Sequence, residues 1–191
     1  MNPLCPTVWR TCRVIACETR LRLLWLLFEN KNLGVAELAE RIGISNPNAS
    51  IQLRALAARG LISAVRKKQR VLYRPFANPT VRGAEALLSA LHTCHQNGDS
   101  FKTLIRQATA FTHSRRIEIF AKLCVTPCTP LELQKQTGIS APALSHHLSK
   151  LTARRFIKKS GDRYRPISAR NTLGFTLQKL VREDSLNEGA A

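Results

Sequence analysis

The sequence predicts a mainly α chain with small β-hairpins (α+β), organised as two winged helix-turn-helix domains in tandem. Three features predict it: an internal repeat, a helix–turn–helix pattern inside each copy, and a cationic hairpin pattern directly after each.

The repeat is anchored by Gly43-Ile44-Ser45, which recurs as Gly138-Ile139-Ser140. Around it Glu37-Leu38 meets Glu132-Leu133, Pro47 meets Pro142, Ser50 meets Ser145, Leu53 meets Leu148 and Leu56 meets Leu151. Upstream, Arg20, Leu21, Leu23 and Leu27 meet Arg116, Ile117, Ile119 and Leu123. Downstream, Tyr73-Arg74-Pro75 meets Tyr164-Arg165-Pro166. The spacing shifts slightly between these blocks, as it does when loops change length. Asn97-Gly98-Asp99-Ser100 is the strongest turn cluster and sets the expected boundary, with domains at 1–97 and 98–191.

In the first domain, residues 7–16 can form a short helix. Residues 18–29 carry Leu at 21, 23, 24, 26 and 27, the broad apolar face of a buried helix. Residues 30–34 break it, and residues 35–41 form a short helix. Gly43-Ile44-Ser45 is a tight turn whose Ser caps the next helix, and Pro47 lies in the first turn, where its missing N–H costs nothing. Ala49, Leu53 and Leu56 then recur at i, i+4 and i+7 toward the core, and Gly60 ends the helix. Residues 61–65 and 70–73 read as two strands joined across residues 66–69. A helix follows over 80–96, with Val81, Ala84, Leu88 and Leu91 on one face.

The second domain repeats this order: helices at 101–111, 115–125, 131–137 and 141–154, with Ser140 as cap, then strands at 156–159 and 163–165 around Ser160-Gly161-Asp162. A closing helix over 172–183 sets Leu173, Leu177, Leu180 and Val181 on one face.

Charge narrows the partner. Thirty Lys and Arg against twelve Asp and Glu give +18, which draws polyanions toward the chain over about a Debye length. Double-stranded DNA is the expected partner. A membrane is not expected, because the longest apolar run, residues 23–28, falls far short of the ~18 residues of a span. Flanked by Arg20, Arg22 and Glu29, that run does not read as a secretory signal either. The six cysteines (Cys5, Cys12, Cys17, Cys94, Cys124 and Cys128) form no Cys-x-x-Cys and are expected as reduced thiols of a cytoplasmic protein.

A helix-turn-helix places its second helix in the major groove, with the core-facing side inward and the other side toward base edges. In the first domain the positions expected to face outward are Asn46, Asn48, Ser50, Ile51, Gln52 and Arg54. Asn and Gln can pair bidentately with adenine, and Arg with guanine or phosphate. In the second domain they are Ala141, Ala143, Ser145, His146, His147 and Lys150. The hairpins are expected to grip phosphates without reading sequence, through Arg66, Lys67, Lys68 and Arg70, and through Lys158, Lys159, Arg163 and Arg165.

Residues 19–24 and 114–119 resemble the opening of winged-helix repressors of the arsenical-repressor (ArsR) family. Gly138 to Leu151 is similar to that family's recognition-helix signature, and Gly43 to Leu56 is a looser version with Ile51-Gln52 in place of the usual basic or His pair. The resemblance spans roughly residues 7–184 and implies a transcription regulator acting as a repressor. It also implies dimerisation through first and last helices, which each domain retains. The chain is therefore expected as a pseudo-dimer, monomeric or paired again as a homodimer of tandem chains, with recognition helices about 34 Å apart and an asymmetric site.

His92, Cys94 and His95 test the idea of metal sensing, because some relatives bind metal on the closing helix; the matching helix has Glu183 and Asp184 but no His or Cys. Adjacent His146 and His147 point about 100° apart and do not readily share a metal. Cys124 and Cys128 straddle a breaker and read as a core thiol plus a loop thiol, with a redox or metal role the alternative. The short helices lack Cys and His, so an arsenite-type response is unsupported. No catalytic constellation stands out, and neither enzyme activity nor a cofactor or metal is expected. Two other function classes share these features: a non-specific nucleoid-type or RNA-binding protein, and a winged-helix scaffold for proteins.

Overall fold

The computed structural model describes residues 7–188, so Cys5 lies outside the described residues. The chain divides into two compact units, Val14–Ile105 and a second made of Thr7–Arg13 with the residues from 106 onward. Helix α1 (Val8–Ile15), expected to lead the first domain, thus starts in the second unit, where the Val8 amide faces Asp184 Oδ2 at 3.4 Å and Cys12 is fully buried.

In the first unit α2 (Glu18–Glu29) buries Leu21, Leu23, Leu24 and Leu27. A short strand β1 (Leu33–Gly34) leads into α3 (Val35–Ile42), and Gly43, in the left-handed region at φ 72°, turns the chain into α4 (Asn46–Ala57). The expected cap is present: Ser45 Oγ accepts from the Asn48 amide at 3.4 Å. Ala49, Leu53 and Leu56 are all fully buried, as their spacing predicts. Strands β2 (Ser63–Lys67) and β3 (Arg70–Arg74) form the hairpin, and β1 adds to its β3 edge, giving the order β1-β3-β2. The sequence reading began the first strand at residue 61. Leu61 and Ile62 instead lie buried in the connection. Gly60 tightens that connection: it has φ 67°, and a Cβ there would meet the Val81 side chain at 2.8 Å. Helix α5 (Ala84–Gln96) starts four residues later than expected, because Gly83 precedes it in the left-handed region at φ 76°.

Helix α6 (Phe101–Ala108), whose residues up to Ile105 belong to the first unit, runs into a 3-10 turn, Thr109–Phe111, of the second. Then come α7 (Ser114–Val125), α8 (Pro130–Thr137), α9 (Ala141–Ala153), β4 (Ile157–Ser160), β5 (Arg163–Pro166) and α10 (Thr172–Glu188). The core holds Phe111, Phe120 and Phe156 edge-to-face, with centroids 4.7–6.2 Å apart. Thr129 and Glu132 form a capping box at the start of α8. Ser140 sits at the cap position of α9, but its side chain makes no capping hydrogen bond, so the cap expected there is positional only.

The repeat extends to backbone pairing. Leu33 pairs with Tyr73, and Cys128 bridges Tyr164, with N···O distances of 3.2 and 2.8 Å. Cys128 is 1% exposed, whereas Cys124 is half-buried. The buried thiol is thus the one expected in the loop, because the bridge pulls that loop onto the hairpin.

Candidate nucleic-acid interface

On α4, Asn46, Asn48, Ile51 and Arg54 are exposed, while Ser50 and Gln52 are half-buried. Ile51 is an exposed aliphatic group on this face, 55% accessible. Three of the polar side chains are already bound within the protein: Arg54 donates from Nε to the Ser50 carbonyl at 3.3 Å, and Gln52 and Asn48 belong to a chain that starts at Arg20. Arg20 donates from Nε to the Val14 carbonyl at 2.5 Å and from Nη1 to Gln52 Oε1 at 2.7 Å. Gln52 Nε2 in turn donates to Asn48 Oδ1 at 3.0 Å. Hydrogen bonds to a charged donor are the stronger kind, so Gln52 is held back toward α2, and its carbonyl oxygen already has a partner. Asn48 is exposed, and its Oδ1 is the acceptor in the bond from Gln52 Nε2.

On α9, Ala141, Ser145 and His146 are exposed, and Ala143 and Lys150 are half-buried. His147 departs from the outward placement expected of it. It is 9% exposed, with its ring 4.9 Å from that of His113. The physical reason is in the spacing: residue 147 falls at i+3 from Leu144 and four before Leu151, on the buried stripe. Adjacent His146, about 100° round the helix, does face outward. Gln52 occupies the same place in the first unit.

Arg116 stands where Arg20 stands. Its Nε donates to the Ala110 carbonyl at 2.6 Å, and its Nη2 reaches Thr112 Oγ1 at 2.6 Å and the Thr109 carbonyl at 3.2 Å. Arg154 Nε ties Thr109 Oγ1 at 2.8 Å. Burial lowers the Arg116 pKa, with neighbouring Arg154 adding to it. Arg20 and Arg116 are positioning residues to which the sequence reading gives no role. The Arg20/Arg116 match in the repeat was the available signal.

The hairpins differ. Arg66, Lys67, Lys68 and Arg70 are exposed, and among the described residues none of them is in an ion pair. Lys158, Lys159 and Arg165 are exposed likewise. Arg163 is committed elsewhere: it donates to both Glu132 oxygens at 3.0 and 3.1 Å and to the Pro127 carbonyl at 2.8 Å. It anchors the hairpin to α8 rather than presenting an unpaired cation. The Glu132 pKa lies below the usual carboxylate range, chiefly because its carboxylate accepts the Thr129 amide, with Arg163 adding to it.

At α5, His95 Nε2 pairs with Glu29 Oε1 at 3.3 Å, and its ring packs on Trp25. His92 lines an open cleft of about 490 Å³ with Phe28, Phe76 and Pro79. Among the described residues no three His, Cys, Asp or Glu side chains converge as metal ligands, and no helix is long and apolar enough to cross a membrane.

Residues 18–69 match the MarR family, and residues 113–159 match the family described as bacterial regulatory protein, arsR family. Among solved structures the chain is similar to reduced HlyU from Vibrio cholerae N16961, at 24% identity and TM-score 0.39, over 48% of this chain and 87% of that one. None of the curated proteins matches the chain. Each family match covers one helix-turn-helix, so the chain carries two such units.

Proposed function

We propose that this chain, a DNA-binding transcription regulator with two winged helix-turn-helix units, is a cytoplasmic sequence-specific repressor that reads an asymmetric duplex site. The observation that carries the reading is the pairing, in the first unit, of an exposed Asn46–Asn48–Ile51–Arg54 face with an adjacent hairpin bearing five exposed cations, none in an ion pair among the described residues, and no acid. Polar amides and Arg suit base edges, and Ile51 suits a thymine methyl. The hairpin cations supply sequence-independent phosphate attraction.

The two faces are unlike. The first offers Asn, Ile and Arg, and the second offers Ala141, Ser145 and His146. A single chain with unlike reading helices prefers unlike half-sites. One tandem chain therefore suffices for one site, and a homodimer of tandem chains would double it.

Selection of bound duplexes from a random pool, with molecular mass measured in the same buffer, tests this. A non-palindromic consensus bound by one chain is the expected result. Equal affinity for random and selected duplexes, with a steep salt dependence, would replace the reading with non-specific nucleic-acid binding. No DNA binding at all would leave a protein-interaction scaffold.

A further inference from the structure

Three imidazoles stand in a row in the second unit. His146 is exposed on α9, the His147 ring lies 6.1 Å from it, and the His113 ring lies 4.9 Å beyond. The row runs from the reading face of α9 to the start of α7, where His113 is the cap: its Nδ1 accepts the Arg115 amide at 3.1 Å. That contact places the proton of neutral His113 on Nε2. His147 Nδ1 is buried and has no hydrogen-bond partner, a costly state for a side chain that is 9% exposed.

The titratable groups acting on this pair are mostly basic. Arg13 comes from α1, Arg115 and Arg116 from α7, and His146 from α9. Glu118, bound to Arg115 at 2.9 Å, is the acid at this end of α7. Burial, with these cations, pushes both His113 and His147 below the ordinary histidine range. A helix start, an orphaned buried imidazole nitrogen and surplus positive charge together fit an anion.

We propose that His113, Arg115 and His147 form a phosphate-binding site at the start of α7, which holds a DNA backbone phosphodiester and takes up one proton as it does so. The proton comes from solvent and rests on His147, whose Nδ1 has no partner, because His113 Nδ1 is already the acceptor of the Arg115 amide; no other bond is made or broken. The phosphate offsets the surrounding charge, so the bound state holds that proton at a pH where the unbound state does not, and affinity rises as pH falls. The device belongs to the second unit alone. The matching places in the first unit hold Cys17, which caps α2 without a side-chain bond, and Gln52, held by Arg20. This inference rests on the DNA-binding reading above.

The test uses the full chain and one duplex taken from the selection. Affinity is measured at fixed ionic strength at pH 7.5, 6.5 and 5.5, for the natural sequence and for the His113→Asn/His147→Gln double variant. Asn keeps a capping acceptor, and Gln restores the arrangement of the first unit, so the fold is preserved. The natural chain should bind about three- to tenfold more tightly at pH 5.5 than at 7.5, and the double variant less than twofold. Proton NMR of the imidazole C–H resonances should show at least one of the two titrating at higher pH when DNA is bound. Equal pH dependence in both proteins, weaker binding of the natural chain in acid, or an unshifted titration overturns the site. Absence of binding at every pH instead sinks the proposed function.

Discussion

Arg20 Nη1 donates a 2.7 Å hydrogen bond to Gln52 Oε1, joining the helix that builds the core to the helix that faces outward. Gln52 passes the restraint on to Asn48 at 3.0 Å. This makes Gln52 a positioning residue for Asn48. Arg20→Ala should destabilise the first unit by about 2 kcal/mol, the loss of hydrogen bonds to a charged donor. Gln52→Ala should cost less, and the pair should couple by about 1 kcal/mol in a double-mutant cycle read by urea denaturation. Both single variants should blur base preference at the position read by Asn48. Additive stability effects, together with a changed preference in Gln52→Ala alone, would make Gln52 a direct reader instead.

The hairpin of the first unit should act through phosphates. Replacing Lys67 and Lys68 by Ala should weaken binding to every duplex about equally and flatten the salt dependence by roughly two charges. Arg163→Ala should behave differently: its guanidinium is bound by Glu132 and Pro127, so the second hairpin should loosen with less change in salt slope. Affinity measured across a salt series separates the two. A two-charge loss in slope from Arg163→Ala would contradict the anchoring role.

The helices were legible in the sequence because apolar spacing survives in them: Ala49, Leu53 and Leu56 fall where the period puts them. Strand β1 was not, since two residues carry no periodicity, and Asn30 to Gly34 reads as a break until Leu33 is seen paired with Tyr73. His147 was legible in principle. It sits on the stripe of Leu144, Leu148 and Leu151, and reading it as one of an exposed His pair overrode that spacing. The Arg20–Gln52 contact spans 32 residues, and no local pattern encodes such a contact.

Lys68 adopts φ 55° at the tip of its hairpin, in the region where the second hairpin places Gly161 at φ 62°. A side chain there costs about 1 kcal/mol relative to glycine. Lys68→Gly should therefore stabilise the first unit by up to that amount in urea denaturation while lowering DNA affinity through the lost charge. The strained cation is kept for binding if both changes appear. A loss of stability in Lys68→Gly would mean the lysine makes up its conformational cost in the folded hairpin.

The lowered pKa values of His113 and His147 set how DNA-free protein responds to acid. Both start from an ordinary value of 6.5 and are shifted down by burial first, with cationic neighbours adding to it. Well above pH 6.5 the two rings are neutral whether the chain is folded or unfolded, and stability is unaffected. As the pH drops below that value the unfolded chain takes up protons that the folded chain does not, so stability falls. The fall ends once the folded-state values are passed. Urea midpoints should accordingly drop between pH 7 and pH 5.5 in the natural sequence and change less in the His113→Asn/His147→Gln variant. Carboxylates titrate mainly below this window, which keeps the comparison specific to the imidazoles. Proton uptake thus works against the DNA-free second unit and in favour of the DNA-bound one, so added duplex should reduce or reverse the drop. If midpoints of natural and variant chains track each other across the range, the two rings are not the groups that resist the proton.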